Sequence, residues 1–356
     1  MLFSAITQRL RRTLECRNLL PYDRRVLIAV SGGQDSLSLA EAFRYLHAKR
    51  PWNTLELAHC DHKWPADHGN PEHVACYARH ANLPLHIIPA KRPVPLSENA
   101  AREWRYESLG SLAEEQGFTD VLTAHTATDL AETVIFNLSN GSGADGLSSL
   151  SWSRALSPSV SLVRPFLNVT RAETHTICVE RHIPVWRDVY NDDPRYARNR
   201  IRSCVFPALR KTLHPQVEQN LSQSAHLLRD DAACLRAMAE FVLGRAVYVT
   251  KDGTSESQMR INRQLVLAEH RAVQRRVIRM ALERYLGLGH RGATFSQVEA
   301  VCHLLEAPVG KSSPSLTRQA QATVISDKLI SIDIPCVSAL ASDSFWSGKG
   351  FPMEAG

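Results

Sequence analysis

This 356-residue sequence predicts an α/β fold, a doubly wound and mainly parallel sheet with a smaller, mainly helical C-terminal domain. Three observations carry that prediction. Short apolar runs rich in Val, Ile and Leu alternate with helical periodicity over residues 20–200, the pattern of βαβ units. One such run, Val26-Leu27-Ile28-Ala29-Val30, ends in a Gly-Gly turn that opens directly into a helix. Beyond Pro215 the alternation stops and longer amphipathic segments follow. The expected organisation is therefore a domain over 1–215, a second over 216–338 and a loose tail over 339–356.

At the N-terminus, Leu2, Ile6, Leu10 and Leu14 recur at helical spacing, so this arginine-rich segment reads as a helix packed beside the first strand rather than as a transit peptide. The first strand is buried on both faces, and the helix after it runs through Arg50 on Leu37, Leu39, Ala40, Phe43 and Leu46. Strands are expected over 54–60, 85–89 and 120–124, separated by helices over 71–81 and 97–116, the latter with Ser97 as N-cap. A helix over 127–140, a strand over 162–166 and a helix over 171–181 complete the pattern. In the second domain, 217–242, 264–286 and 296–305 read as helices, and 322–334 as strands around Asp327-Lys328.

No apolar run approaches membrane-spanning length. Eight cysteines without a Cys-x2-Cys pair point away from zinc, iron–sulfur or disulfide frameworks, and towards reduced thiols in a cytoplasm-like compartment. The net charge is +6, with seven Lys or Arg between Arg195 and Arg229 and arginines recurring from Arg260 to Arg291. Such a flank suits nucleic acid, and it also suits a solvated helix face.

The chemistry concentrates where strands should end. Ser31-Gly32-Gly33-Gln34-Asp35-Ser36 reads as a phosphate cradle: glycines allow backbone N–H groups close to phosphate, two serines add hydroxyls, and the helix N-terminus adds positive potential. Asp35 stands where a common nucleotide loop carries lysine, so it calls for a cation, and Mg²⁺ between carboxylate and phosphate fits. Asp61, at the end of the second strand, can add to a metal or nucleotide site, whereas His59 and His62 read as polar residues rather than ligands. Arg102 and Arg105 are three apart on one helix face and can clamp a phosphate. His125 closes a strand and is a candidate proton acceptor, because imidazole titrates near neutrality. Asp129 and Glu132 share a face of the next helix and can hold an ammonium group. Asn140 to Leu147 carries three glycines, as a lid or a second anion nest would. Arg195, Arg198, Arg200 and Arg202 crowd one segment, with Tyr196 as a stacking face for a base; an ion-pair cluster with Asp192 and Asp193 is the rival reading.

These strings resemble a known family. Ser-Gly-Gly-x-Asp-Ser after a buried strand is similar to the PP-loop of the N-type ATP pyrophosphatases, with its adenine nucleotide alpha hydrolase-like fold. Asp61-His62 resembles the start of Asp-His-Gly-Leu-Arg, and Ala101-Arg102 to Arg105-Tyr106 resembles Ala-Arg-x-x-Arg-Tyr, both found in the lysidine synthetase branch. Ala124-His125, Asp129, Glu132 and Thr133 match that branch's Ala-His-His-x-x-Asp-Gln-x-Glu-Thr, and Tyr196 to Arg202 matches Tyr-x-Arg-Asn-Arg-Ile-Arg. The resemblance implies an enzyme that uses ATP and Mg²⁺ to join L-lysine to C2 of the wobble cytidine in a CAU-anticodon isoleucine tRNA. Residues 31–36 would bind ATP, Asp35 and Asp61 the metal, and Asp129 and Glu132 lysine. Arg195, Tyr196, Arg198 and Arg202 would bind tRNA, with Arg200 approaching the reaction centre beside Asp35, His125, Arg102 and Arg105. A PP-loop tRNA thiolase, for which Cys60 would have to serve, and a non-catalytic nucleotide- or tRNA-binding module are the alternatives; a homodimer is left open.

Overall fold

Val26, Leu27 and Ile28 have no exposed surface, and a run of aliphatic side chains buried on both faces makes β1 (Arg25–Ala29) a central strand. The computed structural model describes residues 2–187, 195–251, 257–286, 288, 292–317 and 320–334. β2 (Thr54–Asp61), β3 (Leu85–Pro89), β4 (Asp120–Leu122), β5 (Ser153–Ala155) and β6 (Ser161–Val163) join β1 in the order β3-β2-β1-β4-β6-β5. All pairs are parallel except β5–β6. Because β1 has β2 on one side and β4 on the other, the winding reverses there. In such sheets the crevice beyond the carboxyl ends of the two strands receives ligand.

The helices form where the sequence gives both an apolar face and an end signal. α1 (Leu2–Cys16) buries Phe3, Ile6, Leu10 and Leu14, leaves Leu2 exposed, and presents the Leu2 and Phe3 N–H groups to Glu180 at 3.0 Å each. α2 (Gln34–Lys49) starts at the glycine turn, α3 (Asn70–Ala81) ends on left-handed Asn82, and α4 (Glu98–Gln116) runs from the Ser97 cap to left-handed Gly117. α5 (Ala127–Ser139) and α7 (Arg171–Glu180) both begin with capping boxes, Thr126 with Asp129 and Thr170 with Glu173, while the short α6 (Ala144–Leu147) lies between them.

The chain divides into two compact units, the second starting at Asp231, inside a helix over Val217–Ala246 rather than ahead of it. In this unit the helices accompany a four-stranded antiparallel sheet of β7 (Val247–Lys251), β8 (Ser257–Asn262), β9 (Ala322–Val324) and β10 (Leu329–Ile334), ordered β7-β8-β10-β9. The sequence reading anticipates the last two strands and not β7 or β8. The helix expected over 264–286 is two helices, Arg263–Leu267 and Arg271–Tyr285, because the His270 imidazole accepts the Ala272 N–H at 3.2 Å and caps a new start. Part of the basic flank is neutralised in place: Arg271 and Arg275 pair with Glu299, and Arg284 with Glu240. The tail over 339–356 lies outside the described residues.

Candidate active site

The crevice begins at the glycine turn. Gly32 adopts φ +84 and is buried, a conformation and a space open to glycine alone: a Cβ there would stand 2.3 Å from Asn70 Oδ1. Ser36 Oγ accepts the Ser31 N–H at 3.1 Å and donates to the Gly33 carbonyl at 3.0 Å, so the serine pair closes the turn on itself. Asp35 sits in the first turn of α2, reached by the Thr174 hydroxyl and by Arg171 Nη1 at 3.6 Å. Burial raises its carboxyl pKa, a like charge on Asp129 adds to that, and Arg171 opposes both. The Gln34 side chain donates to the Arg171 carbonyl at 2.9 Å, to Thr174 Oγ1 at 3.1 Å and to Asp35 Oδ1 at 3.3 Å. α7 therefore buttresses the turn through Arg171 and Thr174, two residues that the sequence motifs do not flag.

Three cavities meet here, and Arg105 lines all of them. The first, about 210 Å³, runs from Ala29, Ser31 and Asp35 past Ala58, Tyr106 and Leu109 to His125 and Asp129. A second, about 240 Å³, lies over Gly33, Gln34, Asp35 and Ser36 and is walled by Asp61, Asn70, Arg171 and Trp186. The third, about 310 Å³, is bounded by Arg102, Asp129, Glu132, Tyr196, Arg198 and Arg202. Arg102 and Arg154 each lie 4.9 Å from the Tyr106 ring centre, one cation-π contact apiece. Burial, and then the neighbouring Arg198, Arg105 and Arg154 against a contrary pull from Tyr106, brings the Arg102 pKa below its ordinary value. Guanidinium groups crowded to that degree favour a polyanion among them.

On the far side, His125 shares a 3.0 Å hydrogen bond with Thr123 Oγ1. The ring reaches the cavity surface yet is densely enclosed, and burial pushes its pKa to about 3. That value lies well below the near-neutral range the sequence reading gives it. Burial would raise Asp129, but His125, the Thr126 N–H (2.7 Å), the Thr126 hydroxyl (2.8 Å) and Arg202 together bring its pKa below the ordinary value. Glu132 has no exposed surface and carries Oε2 without a hydrogen-bond partner among the described residues; burial and then Asp129 push its carboxyl up to about 7 despite Arg202.

Arg202 itself donates from Nε to Glu132 Oε1 at 2.8 Å and reaches Asp129 at 3.9 Å. The sequence reading gives it to tRNA; in the fold it is the counter-ion of the buried acids, on the wall of the chamber that Tyr196 and Arg198 also line. Arg200, expected near the reaction centre, is exposed with Nη1 on the Arg195 carbonyl at 2.9 Å, and it lines none of the three cavities. The cause is local. A short helix over Ala197–Arg200 passes into a π-helical turn over Ile201–Val205, so that Arg198, Asn199 and Arg202 face the cavity. Tyr196 lines the same cavity; Asp192 and Asp193, the rival ion-pair partners, lie outside the described residues. Residues 140–147 line none of the cavities and form a turn and α6.

His59 is buried, its Nδ1–H donating to the Val30 carbonyl at 2.8 Å, and Asp61 Oδ1 accepts the Lys63 N–H at 2.8 Å. Lys63 takes φ +56, at the position where the resembled string carries glycine. Lys63→Gly is therefore expected to stabilise the protein by up to ~1 kcal/mol, read as a higher urea midpoint at constant slope. An unchanged or lower midpoint would show that the lysine is not strained.

Residues 4–209 match the family model described as a PP-loop domain. A tRNA(Ile)-lysidine synthase from a Synechococcus species is 40% identical over 328 residues, covering 91% of this chain and 96% of the relative. One from a Nostoc species is 38% identical, with 86% and 91% covered, and a chloroplastic one from Pyropia yezoensis is 33% identical, with 80% and 84% covered. Among solved structures, the U34-tRNA thiolase NcsA from Methanococcus maripaludis, with its 4Fe-4S cluster, aligns with a TM-score of 0.54 at 18% identity, over 64% of this chain and 80% of that one. That likeness concerns the fold.

Proposed function

The chain belongs to the tRNA(Ile)-lysidine synthase family of PP-loop proteins, and from that membership we propose that it joins lysine to C2 of the wobble cytidine of CAU-anticodon tRNA(Ile) at the expense of ATP. The carrying observation is that Arg105 lines all three cavities, among them the one over the glycine turn and the acid-lined chamber. In the first step the cytidine O2 attacks the α-phosphorus of ATP, the α–β anhydride breaks and diphosphate leaves. The carbonyl oxygen, a poor leaving group, becomes an adenylate. In the second step the lysine ε-amine attacks C2, the C2–O2 bond breaks and AMP departs. Arg105 and Arg102 offset the charge that gathers on phosphate, and the Gly32 and Gly33 amides hold the diphosphate portion. Glu132, titrating near 7, accepts the amine proton, while ionised Asp129 pairs with the ammonium group before transfer. Tyr196 and Arg198, on the same chamber, contact the RNA.

Asp35 and Asp61 line one cavity, a donor set that suits Mg²⁺, an ion that takes one or two carboxylates beside phosphate oxygens. Bound there, it would neutralise charge on the departing diphosphate. Incubation with ATP, labelled lysine and unmodified tRNA(Ile) should place label in RNA with one AMP and one diphosphate per lysine. Asp35→Asn should cut that turnover by at least about a hundredfold and leave tRNA affinity intact. Unlabelled RNA, or ADP in place of AMP, would defeat the proposal; sulfur-dependent modification would favour a thiolase.

A further inference from the structure

The glycine turn is held from behind, and what holds it decides which way its amides face. Asn70 Nδ2 donates to the Ser31 carbonyl at 3.0 Å, and the Trp186 N–H donates to the Gly32 carbonyl at 2.9 Å. A trans peptide carries its N–H opposite its C=O. Fixing those two oxygens towards Asn70 and Trp186 therefore points the Gly32 and Gly33 N–H groups the other way. Neither N–H donates a hydrogen bond among the described residues. Two adjacent unused amides at the start of α2 are donors that an anion can take. Asn70 is buried, begins α3, and keeps Oδ1 without a hydrogen-bond partner among the described residues, against the Cα side of Gly32. The Trp186 ring fits beside it, within 3.4 Å of where a Gly69 Cβ would be.

We propose that Asn70 is a positioning residue for the diphosphate portion of ATP: it touches no reacting atom and acts by orienting the Ser31–Gly33 peptides. This rests on the reading of the turn as the phosphate cradle given above. Its consequence is selective, because Asn70 sets the phosphate-binding amides and nothing on the nucleoside or RNA side.

Calorimetry with diphosphate, ATP and AMP on the full chain tests it, using Asn70→Ala and the uncharged Asn70→Leu, which keeps the bulk and loses the donor. Diphosphate and ATP affinity should each fall about tenfold in both variants, the effect of one lost buried hydrogen bond, with AMP and tRNA affinity within twofold of wild type. Equal weakening of AMP and ATP, or an unchanged diphosphate affinity in Asn70→Leu, would overturn it. If Asn70→Ala unfolds, Asn70→Leu decides alone. Only the ratio of variant to wild type is read, so a wild-type protein that binds diphosphate but forms no lysidine would sink the proposed reaction and leave this clamp standing.

Discussion

Gly32→Ala should sharply weaken ATP binding while leaving a folded protein. Two costs arise at one atom. The left-handed φ of +84 disfavours any L side chain by about 1 kcal/mol or more, and the new Cβ would stand 2.3 Å from Asn70 Oδ1 and 3.2 Å from Trp186 Cβ. The first of those contacts cannot persist, and Asn70 cannot give way without releasing the Ser31 carbonyl. So the turn must move. If the Gly32 and Gly33 amides are both lost as donors to charged oxygens, at roughly 1.5 kcal/mol each, the affinity for ATP falls about a hundredfold or more. Gly33→Ala is the control: its Cβ would meet only Ser31 Oγ, at an ordinary 3.6 Å, and the fold should not register it. Calorimetric affinity and kcat/KM for ATP read the difference, and near wild-type ATP binding by Gly32→Ala would mean that this turn is not the phosphate site.

Chemistry that depends on neighbours in sequence was legible before any coordinates. The glycine turn, the Asp129–Glu132 pair and the Arg102–Arg105 face are each set by one strand end or one helical turn, and their elements fall within a residue or two of expectation. Contacts made across the fold were not. Asn70 and Arg171 reach the turn from α3 and α7, and nothing local marks either. Arg200 faces away from the three cavities and Arg202 into one of them because a π-turn that starts at Ile201 alters the helical register, a change no hydrophobic period records. β5 is a polar three-residue edge strand, and β7 follows a long helix without a break, so neither offers a pattern of its own.

Arg202→Met should be the most damaging single change to stability in the acid-lined chamber, and its cost should depend on pH. Glu132 is wholly buried and Arg202 is its ion-pair partner, so removal leaves a carboxylate uncompensated, typically about 3–5 kcal/mol. The sign follows from the direction of the shift. Wild-type Glu132 is raised from 4.5 to about 7, so the folded state holds an extra proton between those values. Its contribution to stability is thus full below 4.5, declines as pH rises through 7, and is flat above. Without Arg202, which lowers the Glu132 pKa, the folded value rises further and the decline extends beyond 7. The gap between wild type and variant should therefore widen from pH 6 to pH 8.5 in urea titrations. Adding Glu132→Gln to Arg202→Met removes the ionisable group and should remove this decline, flattening the profile over that range below even the wild-type slope. A gap of equal size at both pH values would show that Arg202 acts through packing rather than through charge.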